Sequence, residues 1–212
     1  MATTFPTIKL TYFNAPARAE LTRLVLVLGG VPFEDIRLDF AGFAAIRDSL
    51  PQGKVPILEV DGVVYPQAAA HALYAARITG LYPTDPLEAL RIDMLFESLR
   101  ELFNAYVDIK WFTPDEAHKK ERIDRLLNER VPLILGQIDR KAAETNAAFL
   151  LGQEPSLIDL YAFDIVTNTL QANFPNEFDV NAFPRVAAVV EKVKQLPRIA
   201  EYLAKHQNMP QH

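Results

Sequence analysis

The sequence predicts two domains of different class: an α/β domain with a four-stranded mixed sheet, then an all-helical domain. Three observations predict it. Short apolar runs with strand character recur up to Tyr65 and then stop. A linker carrying two prolines, Tyr82-Pro83-Thr84-Asp85-Pro86, follows Gly80. Beyond that linker the apolar residues recur at helical spacing. The expected domains are therefore residues 1–82 and 86–212.

Residues 8–13 (Ile-Lys-Leu-Thr-Tyr-Phe) alternate and predict a strand. Asn14-Ala15-Pro16-Ala17 reads as a turn, with Pro16 at a helix start. From Arg18 to about Leu28 the apolar Leu21, Leu24, Val25 and Leu28 recur at helical spacing, and Gly29-Gly30 end the run. Phe33 to Leu38 predicts a second strand, and Phe43 to Leu50 a short helix or turn. Val55 to Val60 is a strand entered through Pro56, Asp61-Gly62 is a hairpin signal, and Val63-Val64-Tyr65 is the returning strand. Gln67 to Ile78 is alanine-rich and helical. This order, a βαβ unit and then a hairpin, implies the mixed sheet. In the second domain, helices are expected at 87–109 and 115–143, the latter kinked at Pro132. Ser156 followed by Asp159 has the form of a helix start. Further helices are expected near 156–172, 184–195 and 198–206.

Composition narrows the function classes. The 22 Lys and Arg against 27 Asp and Glu give a net charge of −5, without the clustered positive charge that nucleic acid or an anionic membrane calls for. No apolar run reaches the roughly 18–20 residues needed to span a bilayer. Met1-Ala2-Thr3-Thr4-Phe5-Pro6 lacks a basic segment followed by an apolar core and does not read as a signal peptide, so the cytosol is expected. There is no cysteine, which removes disulfide scaffolds, thiolate metal sites and a catalytic Cys. The histidines His71, His118, His206 and His212 show no ligand spacing, and no metal site is expected. Any thiol chemistry here uses a borrowed thiol.

The motifs then point one way. Leu10-Thr11-Tyr12-Phe13-Asn14, Arg18-Ala19-Glu20, Leu50-Pro51-Gln52-Gly53-Lys54-Val55-Pro56-Ile57-Leu58, Gln67, and Phe149-Leu150-Leu151-Gly152 running to Ser156 and Asp159 occur in that order and spacing. With them the chain resembles the cytosolic glutathione transferases, most closely the sigma class, over nearly its whole length. The resemblance implies a thioredoxin-like first domain that binds glutathione as co-substrate, with no further cofactor. It also implies a small apolar electrophile bound with help from the helical domain, and a homodimer.

Tyr12 stands where the family places its catalytic tyrosine. A phenol that donates a hydrogen bond to a thiolate favours the charged form and lowers the thiol's pKa. A free thiol with a pKa of about 8.5 is only about 3% ionised at pH 7, and lowering it by about two units makes it about three-quarters ionised. Nucleophilicity falls with basicity, so the ~24-fold gain in thiolate nets only about threefold. Most of the acceleration then comes from placing the electrophile beside a desolvated sulfur. Arg18 is implied to orient or polarise the site around Tyr12.

For glutathione itself the resemblance implies a cis Val55-Pro56 bond, with the Val55 backbone pairing to the tripeptide as to an added strand. Gln67 and Ala68, at the start of a helix, are implied to hold the γ-glutamyl end. Ala68 departs from the family's Ser or Thr, removing a hydroxyl worth about 1.5–3 kcal/mol to a charged ligand. Phe43 stands for a Trp, Arg47 for a Lys and Lys54 for a frequent Gln around the glycyl end. Glu101, one methylene longer than the usual Asp, matches an acid that faces the glutamyl amine of the partner subunit. Phe13, Tyr106 and Trp111 are the candidate walls of the electrophile pocket. Three rival readings share this pattern. They are a glutathione-dependent isomerase of the prostaglandin D synthase type, a catalytically weakened protein like the lens S-crystallins, and the transferase-like module of translation factors. The last is disfavoured because Tyr12 and Arg18 are both present.

Overall fold

A computed structural model describes residues 5–206, so Met1 to Thr4 and His212 of the readings above lie outside the described residues. The residues divide into two compact units. One runs to Tyr82 and resumes at Leu196, and the other spans Pro83–Gln195.

The first unit is built on a four-stranded sheet in the order β2-β1-β3-β4. β1 (Ile8–Phe13) is interior, and its alternate Ile8, Leu10 and Tyr12 are buried. It runs parallel to β2 (Glu34–Leu38), with Tyr12 opposite Arg37, and antiparallel to β3 (Ile57–Val60), with Leu10 opposite Leu58. β3 turns into β4 (Val63–Pro66) through Asp61 and Gly62, at φ 48° and 83°. That pair of left-handed residues matches the right-handed twist of a two-residue hairpin, as Asp-Gly predicts.

Three helices accompany the strands. α1 (Ala17–Gly29) is buried from Ala19 to Leu26 and ends on Gly30, whose left-handed backbone (φ 67°) lets its N–H reach the last carbonyls. α2 (Phe40–Ile46) starts three residues before the expected Phe43, because the Asp39 carboxylate caps it by accepting from the Gly42 N–H. α3 (Ala68–Ile78) packs against α1.

The second unit is helical. α4 (Pro86–Phe112) begins on the Asp85 carboxylate, which accepts from the N–H groups of Leu87 and Glu88, with Pro86 in the first turn. α5 (Glu116–Arg125) continues through a wider π-wound stretch, Leu126–Arg130, into α6 (Val131–Ala143). The disturbance expected at Pro132 is thus taken up in the turn before it, where a missing N–H and a bulky ring favour a looser hydrogen-bond pattern. α7 (Leu157–Asp164) runs into a second π-wound stretch, Ile165–Gln171, and α8 (Pro184–Gln195) completes the unit.

The last helix departs from the expected order. α9 (Pro197–Lys205) belongs to the first unit, not with the helices of residues 86–195. It packs on α1: the Arg198 guanidinium donates to the Leu28 carbonyl at 2.9 Å, and the Tyr202 hydroxyl donates to Glu20 at 3.0 Å. Its buried Ile199 and Tyr202 find their partners there, a tertiary choice that local spacing does not encode.

No helix among the described residues is long and apolar enough to cross a membrane. The described residues hold no group of His, Cys, Asp and Glu able to bind a metal ion.

Candidate active site

The turn between β1 and α1 sets the site. The Asn14 N–H donates to Leu38 O at 3.1 Å and the Ala15 N–H to Phe13 O at 2.8 Å, and Ala17 takes a positive φ of 37°. This geometry leaves Tyr12 at the strand end, 8% exposed, directly before the turn. Burial raises the Tyr12 pKa above the usual phenol value, opposed by a hydrogen bond from the Arg18 backbone N–H and by the charges of Arg18 and Arg23. Tyr12 is therefore a neutral phenol near pH 7, able to donate its O–H. Arg18 lies on the first turn of α1 and is exposed.

Phe13 gathers the neighbouring aromatics. Its ring lies 5.5 Å from Tyr12, 5.4 Å from Phe40 and 5.3 Å from Phe43. Phe40 is 77% exposed, so this cluster opens an apolar face to solvent. Sequence reading took Phe13 and Phe43 from this cluster and missed Phe40, three residues before the expected helix.

The remaining first-unit candidates lie along the segment from α2 to α3. Arg47 is exposed and pairs with Asp48 at 3.1 Å. Its side chain also runs beside Gly53, where a Cβ would sit 3.9 Å from the Arg47 Cγ. Lys54 is exposed, Val55 is half-buried, and the Val55-Pro56 bond is cis, as the resemblance implied. Gln52 and Gln67 both carry left-handed backbone, at φ 63° and 85°. The Gln67 amide donates to the Gln52 side-chain oxygen at 3.0 Å. Gln67 gives α3 no side-chain cap, so the first N–H groups of that helix, beginning with half-buried Ala68, are available to an anionic ligand. Just beyond, His71 is buried, with its Nε2 2.8 Å from the Tyr65 carbonyl.

Glu101, Tyr106 and Trp111 belong to the second unit, all on α4. Glu101 is exposed and paired with Arg130. Tyr106 is 8% exposed, with its ring edge-on to Phe174. Its hydroxyl donates to Asn173 at 2.7 Å and accepts from the Lys110 ammonium at 2.8 Å. Burial pushes the Tyr106 phenol up to about 12 and lowers the Lys110 pKa. Trp111 is 59% exposed.

Two polar arrangements escaped sequence reading. One is this Tyr106–Lys110–Asn173 set, and the other is a buried cluster of Glu20, Arg23, Asp35 and Tyr202 beneath the β1–α1 turn. A usable signal for the second exists: Glu20 and Arg23 sit within the apolar run of α1, which is buried from Ala19 to Leu26, and charges there require partners.

The family described as glutathione S-transferase, C-terminal domain, matches residues 100–206. The chain is 32% identical over 200 residues to hematopoietic prostaglandin D synthase of Gallus gallus, covering 94% of this chain and 96% of that protein. It is 32% identical over 208 residues to a glutathione S-transferase of Anopheles gambiae, covering 94% and 97%. Among solved structures, prostaglandin synthase D of Nilaparvata lugens superposes with a TM-score of 0.85 at 29% identity, over 97% of this chain and 100% of that one. A matching family model over half its length and full-length relatives above 30% identity place this chain in the glutathione S-transferase family.

Proposed function

We propose that this glutathione transferase activates glutathione through Tyr12 and conjugates it to small apolar electrophiles. The observation that carries the reading is the Tyr12 phenol, neutral, nearly buried, and with its oxygen already accepting the Arg18 N–H. Its own O–H is then free to donate to a sulfur held in front of it. The thiolate attacks an electrophilic carbon, a C–S bond forms, and the electron pair of the broken bond leaves with the departing group or takes a proton from solvent. Arg18 adds positive charge beside the developing anion. The exposed Phe40 ring, joined to Tyr12 through the half-buried Phe13, supports an apolar co-substrate.

In this reading glutathione lies along the segment from Arg47 to Ala68. The Val55 backbone pairs with its peptide groups, and the N-terminus of α3 with Gln67 meets the γ-glutamyl carboxylate. Arg47 and Lys54 attract the glycyl carboxylate, with Phe43 alongside. A homodimer lets Glu101 of one subunit face the glutamyl amine bound to the other. The cytoplasm is the expected compartment.

A second reading has a specific observation behind it. The relative from Gallus gallus and the superposed structure from Nilaparvata lugens both carry the name of a prostaglandin D synthase. Isomerisation needs the same thiolate and differs in the co-substrate. A glutathione titration, followed by turnover of an aryl halide, an epoxide and a prostaglandin endoperoxide, tests both readings. Binding without turnover of any of the three would overturn them. Sedimentation tests the assembly: a monomer with full activity, unaffected by Glu101→Ala, would exclude the cross-subunit role.

A further inference from the structure

Arg23 lies in the middle of α1 with its side chain completely buried. Isolated, such a cation would be prohibitively costly, and even a well-paired one is seldom worth more to stability than an apolar side chain of equal volume. Its contacts give it another use. Nη1 donates to the Ala15 carbonyl at 2.7 Å, to the Pro16 carbonyl at 3.5 Å and to Glu20 at 3.1 Å. Nη2 donates to the Phe13 carbonyl at 3.5 Å, and Nε to Asp35 on β2 at 3.0 Å. Three of these acceptors are backbone carbonyls of one turn, the turn that joins Tyr12 to Arg18.

The guanidinium is itself held in place. Asp35 also pairs with Arg37 at 2.6 Å, and Arg37 reaches Asn14 at 3.4 Å. The other Glu20 oxygen accepts from the Tyr202 hydroxyl on α9. Tyr202 is buried, and its phenol is shifted upward by burial and by Glu20, so it stays a donor. The last helix thus fastens Glu20, Glu20 and Asp35 fasten Arg23, and Arg23 fastens the turn. A rigid planar fork suits this task, because it fixes several acceptors at once in one geometry.

We infer that Arg23, held by Glu20, Asp35 and Tyr202, is a positioning residue that fixes the β1–α1 turn and, through it, the Arg18 N–H that the Tyr12 oxygen accepts, and thereby aims the Tyr12 hydroxyl at the reacting sulfur. This rests on the proposed role of Tyr12. The Arg23 charge also acts on the phenol directly, with Arg18, against the effect of burial. The inference separates orientation from binding: the proposed glutathione contacts come chiefly from the α2–α3 segment, so a loosened turn should harm the chemical step more than affinity.

The test compares Arg23→Lys, Arg23→Met and Tyr202→Phe with the parent and with Tyr12→Phe. Thermal unfolding, glutathione Kd, kcat at saturating glutathione, and the bound thiol's pKa from thiolate absorbance are measured on each. Arg23→Lys keeps the charge and loses the fork. It is expected to lower kcat by about 3- to 10-fold and by no more than Tyr12→Phe does, because it acts through that hydroxyl. The thiol's pKa should rise while Kd changes little. Arg23→Met should do at least as much, and Tyr202→Phe should move both quantities in the same direction by less. In the Tyr12→Phe background, Arg23→Lys should add almost nothing. A lowered melting temperature with unchanged kcat and thiol pKa would make Arg23 purely structural and overturn the inference. Should neither Arg23 variant fold, Tyr202→Phe decides, and parental kcat and pKa in that variant overturn it. If Tyr12→Phe itself leaves the thiol pKa and kcat unchanged, the reading of Tyr12 fails first, which distinguishes the two failures.

Discussion

The phenol oxygen of Tyr12 accepts the backbone N–H of Arg18, a residue on the first turn of the helix that follows Tyr12's own strand. That bond uses one lone pair and leaves the hydroxyl hydrogen to be given away. Tyr12→Phe removes the donor and little volume. A hydrogen bond to a charged partner is worth about 1.5–3 kcal/mol, which is about one to two pKa units on the bound thiol. Below the thiol's pKa the thiolate should therefore fall about 10- to 100-fold and the rate, because the more basic thiolate is the better nucleophile, about 4- to 13-fold, with the loss vanishing at high pH. A pH–rate profile on both proteins checks this, and a profile that does not shift to alkaline pH would remove Tyr12 from catalysis.

Ala68 opens α3 without a hydroxyl, and Gln67 before it offers no cap. Ala68→Ser adds one oxygen at a half-buried helix start, the proposed place of the γ-glutamyl carboxylate. A new hydrogen bond to the γ-glutamyl carboxylate should lower glutathione Kd about tenfold or somewhat more. Such uniform binding lowers KM and leaves kcat nearly unchanged. Calorimetry on the two proteins measures it. An unchanged Kd would mean that the Gln52–Gln67 pair already orders this corner, or that the carboxylate binds elsewhere.

The strands, the hairpin and the starts of α1, α3, α4 and α7 were legible because each is a local event. Alternation fixed the faces of β1, Asp61-Gly62 supplied two left-handed residues, and Asp85 and Ser156 marked helix starts. Tyr12, Arg18 and the Val55-Pro56 turn were locatable for the same reason, each sitting at the end of a recognisable element. What escaped was long-range. Nothing near Tyr202 announces that it bonds Glu20, or near Asn173 that it meets Tyr106. The π-wound turns at 126–130 and 165–171 escaped as well, since their apolar spacing differs too little from that of an α-helix.

Asp159 is fully buried, and one carboxylate serves three donors. It accepts from the Leu150 N–H at 2.8 Å, the Ser156 N–H at 2.8 Å and the Ser156 hydroxyl at 2.7 Å. Asp159→Ala orphans two backbone N–H groups at about 1–3 kcal/mol each. Denaturant unfolding should show a loss of about 2–6 kcal/mol, with Ser156→Ala costing far less because its N–H bond survives. Equal losses in the two variants would show that the hydroxyl, not the backbone bonds, carries the effect.

His71 makes stability depend on pH with a sign that can be worked out. A carbonyl only accepts, so the Nε2 facing Tyr65 O carries the proton, and the buried Nδ1 has no hydrogen-bond partner. Burial holds the His71 pKa below the usual histidine value, against the opposing pull of the Tyr65 and Pro66 backbone. The folded chain therefore binds this proton less readily than the unfolded chain. Where the unfolded chain carries more protons, stability rises with pH. This contribution is fully present above the ordinary histidine pKa of about 6.5 and is lost as pH falls below it. Carboxylates titrate over part of the same range, so the comparison must be internal. His71→Gln keeps an N–H donor for Tyr65 O and cannot take a proton. Unfolding free energies at pH 7 and pH 5 should drop more in the parent than in His71→Gln, and parallel drops would show that His71 does not titrate on folding.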